Sequence, residues 1–172
     1  SLFEGHALVP CYRWHRHVVV PKGHPLAKIK APTLKQLAAH PIVTYVFGFT
    51  GPSSLLEIFA KEGLVPNVVL TARDADVIKT YVRLGLGLGI VASMAIDPKE
   101  DADLVQIDTS HLFPTHTTWI GFRRGGLLRK YQLDFMQLFA PHLTRRVIER
   151  AANAATQGDV EELVKDLELP TK

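Results

Sequence analysis

Between residues 15 and 107 the chain switches repeatedly between strand-like and helix-like patterning, and this alternation limits the possible folds more than any other feature. Residues 15–20 (HRHVVV) end in three valines, which suit a buried pleated surface. Pro21 and the run Lys22-Gly23-His24-Pro25 stop that strand. Thr33 caps a short helix over 33–37, and Pro41 precedes an apolar strand at 42–46. A Gly-rich turn at 48–52 leads into a helix over 54–62, where Ser54 and Glu57 have capping-box spacing. Leu55, Leu56, Ile58 and Phe59 form its apolar face. A strand at 67–71 follows Pro66. Asp74 or Asp76 then caps a helix of roughly 75–84, with Val77, Ile78, Tyr81 and Val82 as its stripe. Strands follow at 90–92 and, edge-like, at 104–107. Such alternation predicts an α/β fold with a parallel-rich sheet and helices on its faces.

Beyond residue 107 the pattern changes. One strand, 117–122 (TTWIGF), precedes helices expected at 127–139, 143–155 and 159–167. Residues 151–172 carry five acids and two bases, so an acidic helix follows a mildly basic body. The whole chain of 172 residues has a net charge of +3, too small an excess to argue for nucleic acid by itself. With 47% hydrophobic and 22% charged residues, it falls outside the disordered and low-complexity classes. A single cysteine, Cys11, excludes an intrachain disulfide framework and favours a reducing compartment. No run approaches the ~18 apolar residues of a membrane helix. Residues 1–10 lack the basic and apolar regions of a signal peptide. The expected location is therefore cytoplasmic. The sequence also starts in mid-pattern without methionine, so a piece of a longer protein is expected.

Few residues point to chemistry. Gly85, Gly87 and Gly89 follow a helix and open a strand, the reverse of a dinucleotide-binding loop, and read as a helix C-cap with a tight turn. The turn from Gly48 to Ser54 lies between a strand end and a helix start, where ligands gather in open α/β sheets. Thr50, Ser53 and Ser54 offer hydroxyl donors to a small anion or carboxylate there, and they would serve a plain N-cap turn equally well. His15 and His17 share one side of a strand with no third ligand nearby, so a solvated face is expected and no metal site. Cys11 has no base partner, no serine sits in a nucleophile elbow, and Asp74 and Asp76 suit a helix start, so no catalytic residue is expected. Trp14 is a core aromatic or the lining of a polar cleft. Arg123, Arg124, Arg129 and Lys130 read as a solvated basic face.

Three long runs carry a resemblance: VTYVFGFTG at 43–51, DADVIKTYVRLGLGLGIVASMAID at 74–97 and IGFRRGGLLRKYQLDFMQLFAPHLT at 120–144. With PCYRWHR at 10–16 and VKDLELPTK at 164–172, the chain resembles the regulatory domain of LysR-type transcriptional regulators, in particular their cysteine-regulon activators. The resemblance implies a periplasmic-binding-protein-like fold of two α/β lobes joined by crossover strands, with an effector in the cleft. It implies N-acetylserine or its precursor O-acetylserine as effector, with sulfate, thiosulfate or sulfide binding or opposing induction, and no cofactor.

The same resemblance makes Trp14 the cleft tryptophan and Thr50 an anion contact, with Gly51 and Phe47 as neighbours. Promoter DNA is expected to bind only through a helix-turn-helix outside this chain, in a homotetramer, with no membrane partner. In that mapping residues 1–172 are an effector-domain fragment: one complete lobe plus the C-terminal part of the other. Residues 1–10 are the first crossover and 11–114 the second lobe. Residues 117–172 are the return crossover and C-terminal helices of the first lobe. Their apolar stripe (Leu127, Leu128, Tyr131, Leu133, Phe135, Leu138, Phe139) would be left partly uncovered. A solute-binding protein for a small anion shares the fold and is the alternative; an enzyme acting on a small carboxylate is a third class.

Overall fold

The computed structural model describes residues 3–46 and 54–172. The chain divides into two compact units, one formed by residues 1–14 with 116–172 and the other by residues 15–115.

The 15–115 unit is built on a five-stranded sheet. Its strands are β2 (Arg16–Pro21), β3 (Ile42–Tyr45), β4 (Val68–Ala72), β5 (Leu88–Ala92) and β6 (Leu104–Ile107), in the order β4-β3-β5-β2-β6. β3 runs parallel to β4 and β5, whereas β2 runs antiparallel to β5 and β6. The sheet is thus evenly mixed, not parallel-rich. Local periodicity identifies a strand but not its direction, and β2 enters between two strands that come later in the chain.

Helices cover both faces. Val18, Val20, Ile42, Leu88 and Ile90 meet Leu37 of α1 (Leu34–Ala38) and Leu55 and Phe59 of α2 (Leu55–Lys61). On the opposite face Val19, Val43 and Val91 meet Ile78 and Val82 of α3 (Ala75–Arg83). Each fully buried side chain of this size contributes about 1.5–3 kcal/mol. Thr33, Ser54 and Asp74 cap the three helices by accepting the N–H of Gln36, Glu57 and Val77. The α3 stripe is narrower than expected: Val77 and Tyr81 are exposed, and Lys79 is buried in their stead.

That burial has a cause. Lys79 Nζ donates to Asp101 Oδ2 at 2.9 Å and to the Ala95 carbonyl at 3.1 Å, and pairs with Asp76 at 3.1 Å. Arg83 Nη2 donates to Asp101 Oδ1 at 2.7 Å and its Nε to Asp103 at 2.8 Å. Asp101 also accepts the Asp97 N–H at 2.9 Å, so both its oxygens are occupied. The network pins α3 to the 97–103 segment.

Glycines then bring the chain from α3 into β5. Gly85 has a φ of +78°, and the Gly85 N–H to Val82 carbonyl and Leu86 N–H to Tyr81 carbonyl bonds close a Schellman turn. A Cβ on Gly87 would lie 2.3 Å from the Pro41 carbonyl oxygen. Gly89 lies within β5, and not in the turn, where its lack of a side chain lets Ile78, Val82 and Val19 close over the strand.

The other unit pairs β1 (His6–Trp14) with β7 (His116–Arg123), antiparallel, with a register shift between Pro10 and Tyr12. Sequence patterning left β1 unrecognised because Pro10 interrupts it; a bulge is where a strand tolerates proline. Gln157 occupies the free edge of β1, its Oε1 accepting the Leu8 N–H at 3.0 Å and its Nε2 donating to the Leu8 carbonyl at 3.2 Å. Farther along, Arg13 exchanges bonds with Pro170 and Lys172, a parallel bridge at Thr171. Helices α4 (Lys130–Phe139), α5 (Arg145–Ala152) and α6 (Gln157–Val164) pack their buried residues against Ala7, Val9, Cys11 and Phe122. α4 and α5 start later than the sequence pattern predicted, α5 at its Thr144 cap, while α6, capped by Thr156, starts two residues earlier than predicted and ends at Val164. Along α4, Leu133 is buried while Tyr131, Phe135 and Leu138 are exposed; Leu127, before the helix, is 94% exposed.

Two outcomes follow for stability. Gly87→Ala forces β5 away from Pro41 and is expected to cost about 1–3 kcal/mol, read by urea denaturation. Burial alone would push the Asp101 carboxyl up, but the hydrogen bonds from Lys79, the Asp97 N–H and Arg83 outweigh it and hold it at about 2, from 3.8. The folded state therefore favours the charged carboxylate. The stability it contributes is complete above pH ~4 and is lost as pH falls toward ~2. Asp101→Asn is expected to cost about 3 kcal/mol at neutral pH, since Lys79 and Arg83 lose the buried carboxylate they share, and to flatten the acid limb of the stability curve.

Candidate functional site

Trp14 is the last residue of β1 and is half-buried. Its ladder partner on β7 is His116, and the two rings stack with centroids 4.5 Å apart and planes 25° from parallel. One indole face is thus covered by an imidazole. Phe47, Thr50 and Gly51, and Ser53 with them, lie outside the described residues. Ser54, which follows, is buried and accepts the Glu57 N–H at 3.2 Å.

The histidine pair differs from the solvated face expected. His17 has a side chain only 17% exposed. Gln106 Nε2 donates to its Nδ1 at 2.9 Å, and its Nε2 lies 3.3 Å from Asp108 Oδ1. Gln106 also donates to the Ser93 carbonyl at 2.8 Å, so the ring is held by β6 and by Asp108 just after it. Burial lowers the His17 pKa, with Asp108 opposing and His15 adding to the shift. These partners fit a neutral ring with its proton on Nε2. The residue reads as a structural tie; patterning missed this because Gln106 and Asp108 are distant in sequence. No group of three or more His, Cys, Asp or Glu side chains among the described residues is placed to hold a metal ion.

Cys11 is fully buried, its Sγ 3.7 Å from the Val9 carbonyl, and burial pushes its thiol pKa up, which keeps it protonated. Asp74 is a helix cap and Asp76 a partner of Lys79, so the two carboxylates do not form a pair. Arg123, Arg129 and Lys130 are exposed, and Arg124 donates to the Ala155 carbonyl at 2.9 Å. No helix among the described residues is long and apolar enough to cross a membrane.

One group escaped the sequence reading altogether. Arg16, at the start of β2, is 9% exposed, and its Nη1 is buried without a hydrogen-bond partner, as is Nδ1 of neighbouring His15. Burial lowers the Arg16 pKa. A lone arginine before a valine run carries no signal that distinguishes it from a surface charge.

Residues 3–144 match the family model described as the LysR substrate binding domain. The chain belongs to that family. It is 52% identical over 171 residues to the HTH-type transcriptional regulator CysB of Haemophilus influenzae, covering 99% of this chain and 53% of that protein. It is 54% identical over 139 residues to the HTH-type transcriptional regulator SsuR of Burkholderia cenocepacia, covering 81% of this chain and 45% of the relative. Among solved structures, the cofactor-binding domain of the Cbl transcriptional regulator superposes with a TM-score of 0.75 at 41% identity, over 87% of this chain and 66% of the Cbl domain. The chain spans about half the length of the curated relatives it matches. Its fold is the periplasmic-binding-protein-like α/β fold of LysR effector domains. These relatives are transcriptional regulators, and the family's effector domains bind small molecules.

The His17 environment yields a direct check. In an NMR titration its imidazole is expected to titrate below the ordinary 6.5 and to hold the Nε2–H tautomer when neutral. Because the folded-state pKa is depressed, the stability it contributes is complete above pH ~6.5 and is lost as pH falls through that lower pKa.

Proposed function

We propose that the chain is the effector-sensing part of a LysR-type activator of sulfate assimilation and cysteine biosynthesis, acting in the cytoplasm. The observation that carries this reading is the extended similarity to CysB, together with that to SsuR and Cbl. The effector is N-acetylserine or O-acetylserine, with sulfate or thiosulfate as further anions. Thr50 and Trp14 contact it, and Gly51 and Phe47 neighbour it. Trp14, half-buried with one face on His116, leaves the rest of its indole for a ligand, which supports its part in this reading.

The unit of residues 15–115 is the second lobe, placed by the sequence at 11–114. The other unit is the crossover strands with the C-terminal helices of the first lobe. Promoter DNA is bound through a helix-turn-helix domain outside this chain, in a homotetramer. The exposed stripe of α4 is consistent with a further protein surface covering it. The mechanism is population shift: an effector that prefers one lobe arrangement alters the oligomer and the DNA it bends.

Calorimetric titration tests the assignment. The full-length protein is expected to bind N-acetylserine, and Thr50→Ala and Trp14→Ala each to weaken it by about tenfold, the loss of one hydrogen bond or ring contact. Unchanged affinity for both N-acetylserine and sulfate in these variants defeats the site assignment.

A further inference from the structure

Every other buried cation of the 15–115 unit has a counter-charge. Lys79 meets Asp101 and Asp76, and Arg83, partly exposed, meets Asp101 and Asp103. Arg16 is the exception. Its side chain is nine-tenths buried, and among the described residues it makes no salt bridge or hydrogen bond. A guanidinium is always charged in a protein, and burying one without an acceptor is among the most costly arrangements a fold can hold.

The strand shows where the group lies. Arg16 has the parity of Val18 and Val20, so it shares the sheet face packed by α1 and α2. Its ladder partner on β5 is Ala92, the last residue of that strand and a single methyl. On the other flank Thr109, fully buried, spends its hydroxyl proton on the Arg16 carbonyl at 2.8 Å. Neither neighbour supplies a carboxylate, and both are small. Arg16 therefore sits at the end of the sheet where the parallel strands β3 and β5 finish, the end at which open α/β sheets bind ligands.

We propose that Arg16 anchors a small-anion site within this unit, its guanidinium fork taking two oxygens of a carboxylate or of a sulfate-type oxyanion. A planar fork with five donors matches either group bidentately, which a lysine cannot do. The inference rests on the effector reading for the identity of the physiological anion, not for the existence of the site.

The test uses the 172-residue chain, sodium sulfate at millimolar concentration against sodium chloride at matched ionic strength, and N-acetylserine with its uncharged methyl ester. Sulfate is expected to raise the thermal midpoint of the wild-type protein by several degrees over chloride. Arg16→Met is expected to be at least as stable as wild type in chloride, because an unpaired buried charge has gone, and to lose the sulfate shift. A response to N-acetylserine but not to its ester, lost in Arg16→Met, assigns the anion as the carboxylate. A response to sulfate alone, lost in the same variant, assigns an inorganic oxyanion.

If Arg16→Met keeps the wild-type response to both anions, the site is overturned while the effector reading stands. If N-acetylserine fails to bind the full-length wild-type protein but sulfate binds through Arg16, the effector reading falls and the site remains. Should Arg16→Met not fold, the guanidinium resonances of wild-type Arg16, assigned through Arg16→Lys, decide. They are expected to shift on sulfate addition, and fixed resonances overturn the proposal.

Discussion

The 15–115 unit depends on β2 being buried on both faces. Helices cover both sides of the sheet at this strand, so Val18 and Val20 fill one hydrophobic layer and Val19 the other. Its antiparallel pairing with both β5 and β6 then sets the register of the sheet's far half. α1 and α2 lie over one face and α3 over the other because the valines leave no alternative. Arg16 begins this strand, and the same geometry that buries the valines buries its charge. His17, one residue on, is held from outside by Gln106 and Asp108.

The second unit solves a different problem. A two-stranded ribbon has two open edges and is barely stable by itself. Here β7 takes one edge of β1, while Gln157 and residues 170–172 satisfy backbone groups on the other. Segments far apart in sequence are thereby tied to one strand. Three helices supply the apolar cover that the ribbon needs on its inner face.

How much of this is legible in the sequence follows from the range of each interaction. Caps at Thr33, Ser54 and Asp74 act over three residues, and the sequence marks all of them. Strand direction is set by which neighbours a segment joins, so the even mixture of parallel and antiparallel pairs was hidden. β1 was hidden by Pro10, whose bulge only pairing with β7 explains. The burial of Lys79 required Asp101, and the tie at His17 required Gln106 and Asp108; none is a local pattern. At the candidate site, Trp14 and the Thr50 turn stand out by residue type and place. Arg16 does not, because its peculiarity is the lack of a partner, and a sequence cannot display that.

The helix starts have one more implication. α1, α2, α3, α5 and α6 each begin with a side-chain oxygen accepting a backbone N–H. α4 is capped by Arg129, whose guanidinium can accept nothing, so its start has the return bond from Arg129 N–H to Gln132 Oε1 but no side-chain oxygen accepting a first-turn N–H. The same helix shows solvent three apolar side chains, Tyr131, Phe135 and Leu138. A start without a side-chain oxygen cap and thin apolar cover are expected to let α4 open locally, read as early deuterium exchange of its amides. Any protein surface that settles on the helix would supply both missing supports together, so its ordering would track assembly.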